Sequence, residues 1–147
     1  MILYIPLEVY AREIKAHLLL ATIAVSRGYQ VLISSPSDLW LYKRLNLLPK
    51  GNYLLKNMNI PALSEFQYKS YIEAGFDLYC HEQEPSLIYN SFQDHIHVMK
   101  IRPDQMLPFK GVFCWGERDT NGFKNLFSSK RDIFYNTGSP RSDLWCE

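Results

Sequence analysis

The chain opens on Ile2-Leu3-Tyr4-Ile5-Pro6-Leu7, an unbroken apolar run of strand length. A strand with one wet face alternates apolar and polar residues, whereas an unbroken run is covered on both sides. Doubly covered strands are typical of parallel sheets, whose connections are helices, and the alternation of strand and helix along the chain then points to βαβ units. Further strand-like segments follow at Tyr29–Ser34, Asn52–Lys56, Phe76–Cys80, Gly111–Cys114 and Asp132–Asn136. Helical patterns lie between them. Ile14, Leu18, Ala21 and Val25 recur at helical spacing, and Gly28 follows where a left-handed C-cap is needed. Ser35-Pro36-Ser37-Asp38 is a helix start, with Leu39, Leu41, Tyr42 and Leu45 behind it and a stop at Pro49-Lys50-Gly51. A third helix runs from Pro61 to Gly75 with Leu63, Phe66, Tyr71 and Ile72 on its inner face, a short one covers 91–98, and another spans Glu117–Phe127. The expected fold is α/β: a doubly wound, mostly parallel sheet of about six strands with helices on both faces.

Length agrees with a single domain over residues 1–147, long enough to bury about two-thirds of its unfolded surface. Sixteen basic and fifteen acidic residues leave a net charge of +1, which argues against a general nucleic-acid or polybasic membrane binder. The charge is unevenly spread, at +3 for residues 1–75 and −2 for 76–147. No apolar run reaches the roughly 20 residues of a membrane span. The N-terminus has neither a charged leader region nor a small-residue cleavage site, so no signal peptide is expected. Cys80, Cys114 and Cys146 are widely spaced and odd in number, which suits a reducing, cytoplasmic compartment.

In doubly wound sheets, ligands bind beyond the carboxyl ends of the strands, which directs attention to the loops after strands one, four, five and six. The first loop lacks the Gly-x-Gly-x-x-Gly of nicotinamide and flavin enzymes, and no Walker loop or Gly-x-Ser-x-Gly elbow occurs. It offers Glu8, Arg12 and Glu13, which could orient a hydroxylated or anionic substrate. Equally, the two acids could complement the helix N-terminus, with Arg12 paired to one of them. His81-Glu82-Gln83-Glu84 follows the fourth strand, and its two carboxylates could supply a general base or nucleophile. The alternative is a solvated loop without chemistry. Neither His95-x-His97 nor Cys80-His81 has zinc-ligand spacing, so no metal is expected. Trp115-Gly116-Glu117 opens the helix after strand five, with glycine permitting a tight turn and Glu117 at the positive end of the dipole. Cys114 reads as a buried small hydrophobe.

Taken in order, these junctions resemble the N-terminal domain of the bacterial surface carbohydrate (surface polysaccharide) biosynthesis family, which is related to GT-B glycosyltransferases. The resemblance rests on Ile5-Pro6-Leu7-Glu8-Val9, Arg12-Glu13, Leu18-Leu19-Leu20-Ala21, Ser26-Arg27-Gly28-Tyr29 and Leu54-Leu55-Lys56-Asn57. It continues through Glu82-Gln83-Glu84, Trp115-Gly116-Glu117 and Gly138-Ser139-Pro140-Arg141-x-Asp143. The family's acidic loop reads Asp-Glu-Glu-Gly and its closing turn Gly-Asn-Pro-Arg, so this chain departs at Pro85 or Ser86 and at Ser139.

The resemblance implies a Rossmann-like domain forming the acceptor-side half of a GT-B enzyme. A nucleotide-sugar donor would be held mainly by a second, C-terminal domain outside this chain, and a glycan or lipid-linked glycan would be the acceptor. It implies Glu82 or Glu84 as the catalytic carboxylate and Glu8, Arg12, His81, Trp115 and Glu117 as substrate-binding residues. Gly138, Pro140, Arg141 and Asp143 would form an interdomain turn. It further implies no bound cofactor or nucleic acid, a cytoplasmic location compatible with peripheral contact at the inner membrane face, and no turnover by this domain alone. Two rival readings remain open at this stage: a sugar-nucleotide epimerase or hydrolase on the same scaffold, and a non-catalytic partner domain.

Overall fold

The computed structural model describes residues 1–58, 62–83, 88–101 and 108–144, with the side chains of 62–64 left aside. Six strands form one sheet: β1 (Ile2–Pro6), β2 (Gln30–Ser34), β3 (Asn52–Leu55), β4 (Asp77–His81), β5 (Gly111–Cys114) and β6 (Phe134–Asn136). Their order is β2-β1-β3-β4-β5-β6, and every neighbouring pair is parallel. The helices are α1 (Tyr10–Ser26), α2 (Pro36–Arg44), α3 (Ala62–Glu73), α4 (Phe92–Val98), α5 (Glu117–Leu126) and α6 (Pro140–Asp143). A kinked 3-10 segment, Ser128–Ile133, leads into β6. The protein therefore has a Rossmann-like, doubly wound α/β fold with helices on both faces.

Local chemistry explains the boundaries. Ser35 caps α2 by accepting from the Asp38 backbone N–H at 3.1 Å, with Pro36 at the first helical position. Ser91 and Asp94 form a reciprocal capping box on α4, each side chain accepting the other's backbone N–H at 3.0 Å. Gly28 closes α1 with φ at +85°, a left-handed conformation that disfavours any Cβ. Gly122 sits inside α5 for a different reason: a Cβ there would lie 2.5 Å from the Phe92 ring.

The two faces of the sheet are filled differently. Alternate strand residues Tyr4, Tyr53, Leu55, Leu78, Cys80 and Val112 meet Leu39 of α2, Tyr71 of α3, Ile96 of α4 and Phe123 of α5 in one core. Phe123 is fully buried among the rings of Phe92, Phe127 and Phe134. The opposite face is covered by α1 and the short α6, which touch one another.

Several expected inner faces are corrected by this arrangement. Leu18 and Val25 of α1 are more than half exposed, while Glu13, Ala16 and His17 are buried. On α2 only Leu39 is buried, and Leu41, Tyr42 and Leu45 face solvent. Phe66 is 71% exposed, and on α3 Tyr71 takes the inner position. The second strand is an edge strand, with Leu32 exposed, because the chain places β2 outside β1 and not within the sheet. Periodicity identifies an apolar stripe but does not say how many sides of a helix the neighbours cover.

Candidate functional site

The chain leaves β1 toward β2 in one direction and builds every later strand in the other. The crevice of this fold type accordingly opens beyond the carboxyl ends of β1 and β3. Four charged side chains converge there. Glu13, 1% exposed on the first turns of α1, turns its carboxylate back over the helix start. Its Oε2 accepts the backbone N–H groups of Glu8 at 2.8 Å and Val9 at 3.1 Å, while Oε1 accepts from Arg12 Nη2 at 2.8 Å. Lys56, just past β3, pairs with Glu8 and stands 3.9 Å from Glu13. Burial alone raises the Glu13 pKa; the hydrogen bonds from Arg12, Val9 and Glu8 and the Lys56 charge outweigh it and hold the carboxyl below its ordinary value. Glu13 thus complements the helix N-terminus and pairs with Arg12, the simpler of the two readings for that loop.

Glu82 is not in a solvated loop. It is 1% exposed, and its Oε2 accepts the Met58 backbone N–H at 3.0 Å. Its own N–H reaches the Phe113 carbonyl at 3.0 Å, and Gln83 N–H reaches the Lys56 carbonyl at 3.0 Å. The start of the acidic segment is therefore stitched between the ends of β3 and β5. Glu84 lies outside the described residues, as do Pro85 and Ser86.

A groove of about 450 Å³ runs along the α1 face of the sheet, from Leu3, Tyr29 and Asn52 at the amino ends of the strands to His81 and Thr137 at their carboxyl ends. Leu54, Tyr79 and Phe113 lie along it, with His81, Thr137 and Asp143 at the end nearer the carboxyl edge. The Tyr79 and Phe113 rings stand parallel, 2° apart in plane and 6.2 Å between centroids. Its described lining contains no lysine or arginine. His81 Nε2 lies 3.3 Å from the Gly138 carbonyl oxygen, tying β4 to the turn before α6. That turn is built as its residues require. Gly138 has φ at +77°, Ser139 is buried and accepts the Arg141 N–H, and Pro140 begins α6. Asp143 is exposed and Arg141 half-buried.

After β5, Trp115 is half-buried, its Nε1 without a hydrogen-bond partner among the described residues, and Glu117 is exposed at the first turn of α5. Gly116 is extended, with φ at −172° and open space around a would-be Cβ, so no tight turn demands glycine there. His95 is buried against Tyr89 and Phe92 while His97 is exposed, so the two rings point apart. Among the described residues no three His, Cys, Asp or Glu side chains gather as metal ligands, and no helix is long and apolar enough to cross a membrane. Cys80 and Cys114 are buried free thiols, and burial pushes the Cys114 pKa up to about 12.

Sequence reading missed His17. It lies one turn after Glu13, is 5% exposed, and its Nδ1 has no partner among the described residues. The available signal was a lone imidazole inside the apolar stretch Ala16 to Ala21, in line with Glu13 at the i,i+4 spacing. Burial is the main effect lowering its pKa; Glu13 opposes that, and His81 and Lys56 reinforce it. His81 is lowered too, chiefly by burial, against the pull of the Gly138 carbonyl and Asp143. For both, the folded state releases its proton more readily than the unfolded chain. Their stability contribution is therefore complete above the ordinary histidine value of 6.5 and is lost as pH falls through and below it. The urea midpoint is expected to fall between neutral pH and mildly acid pH, and to fall less in His17→Gln. A midpoint that is flat or rising over that interval in the parent protein contradicts this assignment.

Compared with protein-family models, curated proteins and solved structures, the chain matches none.

Proposed function

We propose that this chain is the acceptor-side domain of a GT-B-like glycosyltransferase of surface polysaccharide synthesis, with the groove at His81, Thr137 and Asp143 receiving a glycan. One observation carries the reading. Glu8, Lys56, Glu82, Trp115 to Glu117 and Gly138 to Asp143 are scattered through the sequence, yet all fall on the carboxyl edge of one sheet. The groove beside them suits a neutral sugar better than a nucleotide. Its lining is largely aromatic and aliphatic, which favours stacking on the apolar face of a sugar ring, while the imidazole, hydroxyl and carboxylate at its carboxyl-edge end can bond sugar hydroxyls. A diphosphate would meet no cation in the described lining. The donor falls to a second domain in this reading, Glu82 or Glu84 supplies the catalytic carboxylate, and Glu8 and Arg12 position the substrate.

The test is an NMR titration of the 147-residue chain with bacterial surface-glycan repeat oligosaccharides and, separately, with nucleotide sugars. Oligosaccharides should shift the His81 and Thr137 resonances in a saturable manner, nucleotide sugars should not, and neither mixture should yield transferred sugar. Saturable nucleotide-sugar binding in the groove, no shift with any oligosaccharide, or sugar transfer by the chain alone would each sink the proposal.

A further inference from the structure

The carboxyl-edge end of the groove spends its donors on the backbone and leaves acceptors for a ligand. Three polar side chains line it there: His81, Thr137 and Asp143. The Gly138 carbonyl oxygen can only accept, so His81 Nε2, 3.3 Å away, carries the proton, and Nδ1 of the neutral ring keeps a bare lone pair. Burial favours that neutral ring over the imidazolium. Thr137 spends its hydroxyl proton in the same way. The carbonyl oxygens of Gly138 and Cys114 lie 3.3 Å and 3.5 Å from its Oγ1, which keeps its lone pairs. Asp143 is a carboxylate and accepts only.

Charge points to the same class of ligand. Asp143 is the one charged side chain in the groove's described lining, it is exposed, and it forms no ion pair among the described residues. The neighbouring cations are engaged: Lys56 with Glu8 and Glu13, Arg12 with Glu13, and Lys110 at the amino edge with Asp77. Arg141 has contacts of its own, and its place two positions before Asp143 on α6 sets the two side chains on different sides of the turn. Tyr79 and Phe113 add aromatic rings, which attract a cation as well as packing against a sugar. A sugar hydroxyl brings lone pairs to such a site along with its proton. A protonated amine brings three donors, no acceptor and the opposite charge.

We infer that the groove selects a glycan carrying free amino sugars, with the ammonium group at Asp143, Thr137 and His81 and the sugar ring along Tyr79 and Phe113. This inference rests on the glycan reading and sharpens it. Glycans built on uronic acids or phosphates meet only acceptors and a like charge at that end and are turned away.

NMR titration of the full 147-residue chain near neutral pH and at low salt tests it. The ligands are a β-1,4-linked glucose tetramer, the glucosamine tetramer with an amine in place of each 2-hydroxyl, and a galacturonic acid tetramer. The glucosamine tetramer should bind about 5-fold more tightly than the glucose tetramer, the upper range for one solvent-exposed ion pair, and the galacturonic acid tetramer most weakly. Asp143→Asn, a near-isosteric change at an exposed position, should bring the first two level, and raised salt should shrink the preference in the parent protein. Equal affinity for the glucosamine and glucose tetramers, a preference that survives Asp143→Asn, or tightest binding of the galacturonic acid tetramer overturns this inference and leaves the glycan reading standing. No saturable shift at His81 or Thr137 with any of the three overturns both.

Discussion

Glu13→Ala is expected to destabilise the protein by about 1–3 kcal/mol at neutral pH, the range for leaving hydrogen-bond donors without their acceptor, since Arg12 and Lys56 stay partly open to water. The carboxylate holds the backbone N–H groups of Glu8 and Val9, receives the Arg12 guanidinium, and faces Lys56. Alanine leaves two helix-start donors without their acceptor and two cations without their closest common counter-charge. Glu8 stays on Lys56 and limits the loss on that side. The pH dependence follows from the depressed carboxyl. A group that ionises more readily when folded contributes its full stability above the ordinary value of 4.5 and loses it as pH falls through the folded value below that. The parent and alanine proteins should therefore differ most near neutrality and converge in acid. Urea unfolding followed by tryptophan fluorescence measures both; a difference under about 1 kcal/mol at neutral pH would mean the N–H groups find water instead.

Phe123→Ala should cost more, roughly 3–5 kcal/mol, through a different mechanism. Its ring meets Phe92 edge-on at 5.0 Å and stacks on Phe134 at 5.7 Å, with Phe127 at 6.4 Å. Phe92 is itself pressed against Gly122, where no further side-chain atom fits, so the shell has little room to rearrange. The cavity should therefore persist. Phe123 carries no charge, so its effect should not converge with the parent in acid as that of Glu13→Ala does, although the buried His95 ring lies 6.1 Å away, and this separates the two in the same unfolding experiments. A loss below about 1.5 kcal/mol, closer to that of a conservative aliphatic trim, would show that the helices α4 and α5 close over the gap.

These two residues also divide what was legible in advance from what was not. The strands around Phe123 were readable because strands covered on both faces need continuous apolar runs, and Gly28, Ser35 and Pro36 mark helix ends by backbone chemistry that acts within a few residues. The carboxyl-edge position of Glu8, Glu82, Trp115 and Gly138 followed from element order alone. The part played by Glu82 did not, because burial of its carboxylate against Met58 N–H depends on a contact 24 residues away. Lys56 stood only inside a landmark of the resemblance, and the i,i+4 spacing of His17 from Glu13 does not say that both are buried. Nothing near them in sequence announces that the end of β3, the second turn of α1 and the end of β4 come together.

The sequence by itself therefore determined the α/β class, the alternation of elements and the edge on which the junction residues lie, since strand and helix patterns and caps are set by neighbours in the chain. Only the tertiary structure decided the strand order that leaves β2 at the edge, the inward turn of Glu13, His17 and Glu82, and the exposure of Leu41, Leu45 and Phe66. Those depend on which elements cover one another, and burial at that range is a property of the packed sheet and helices together.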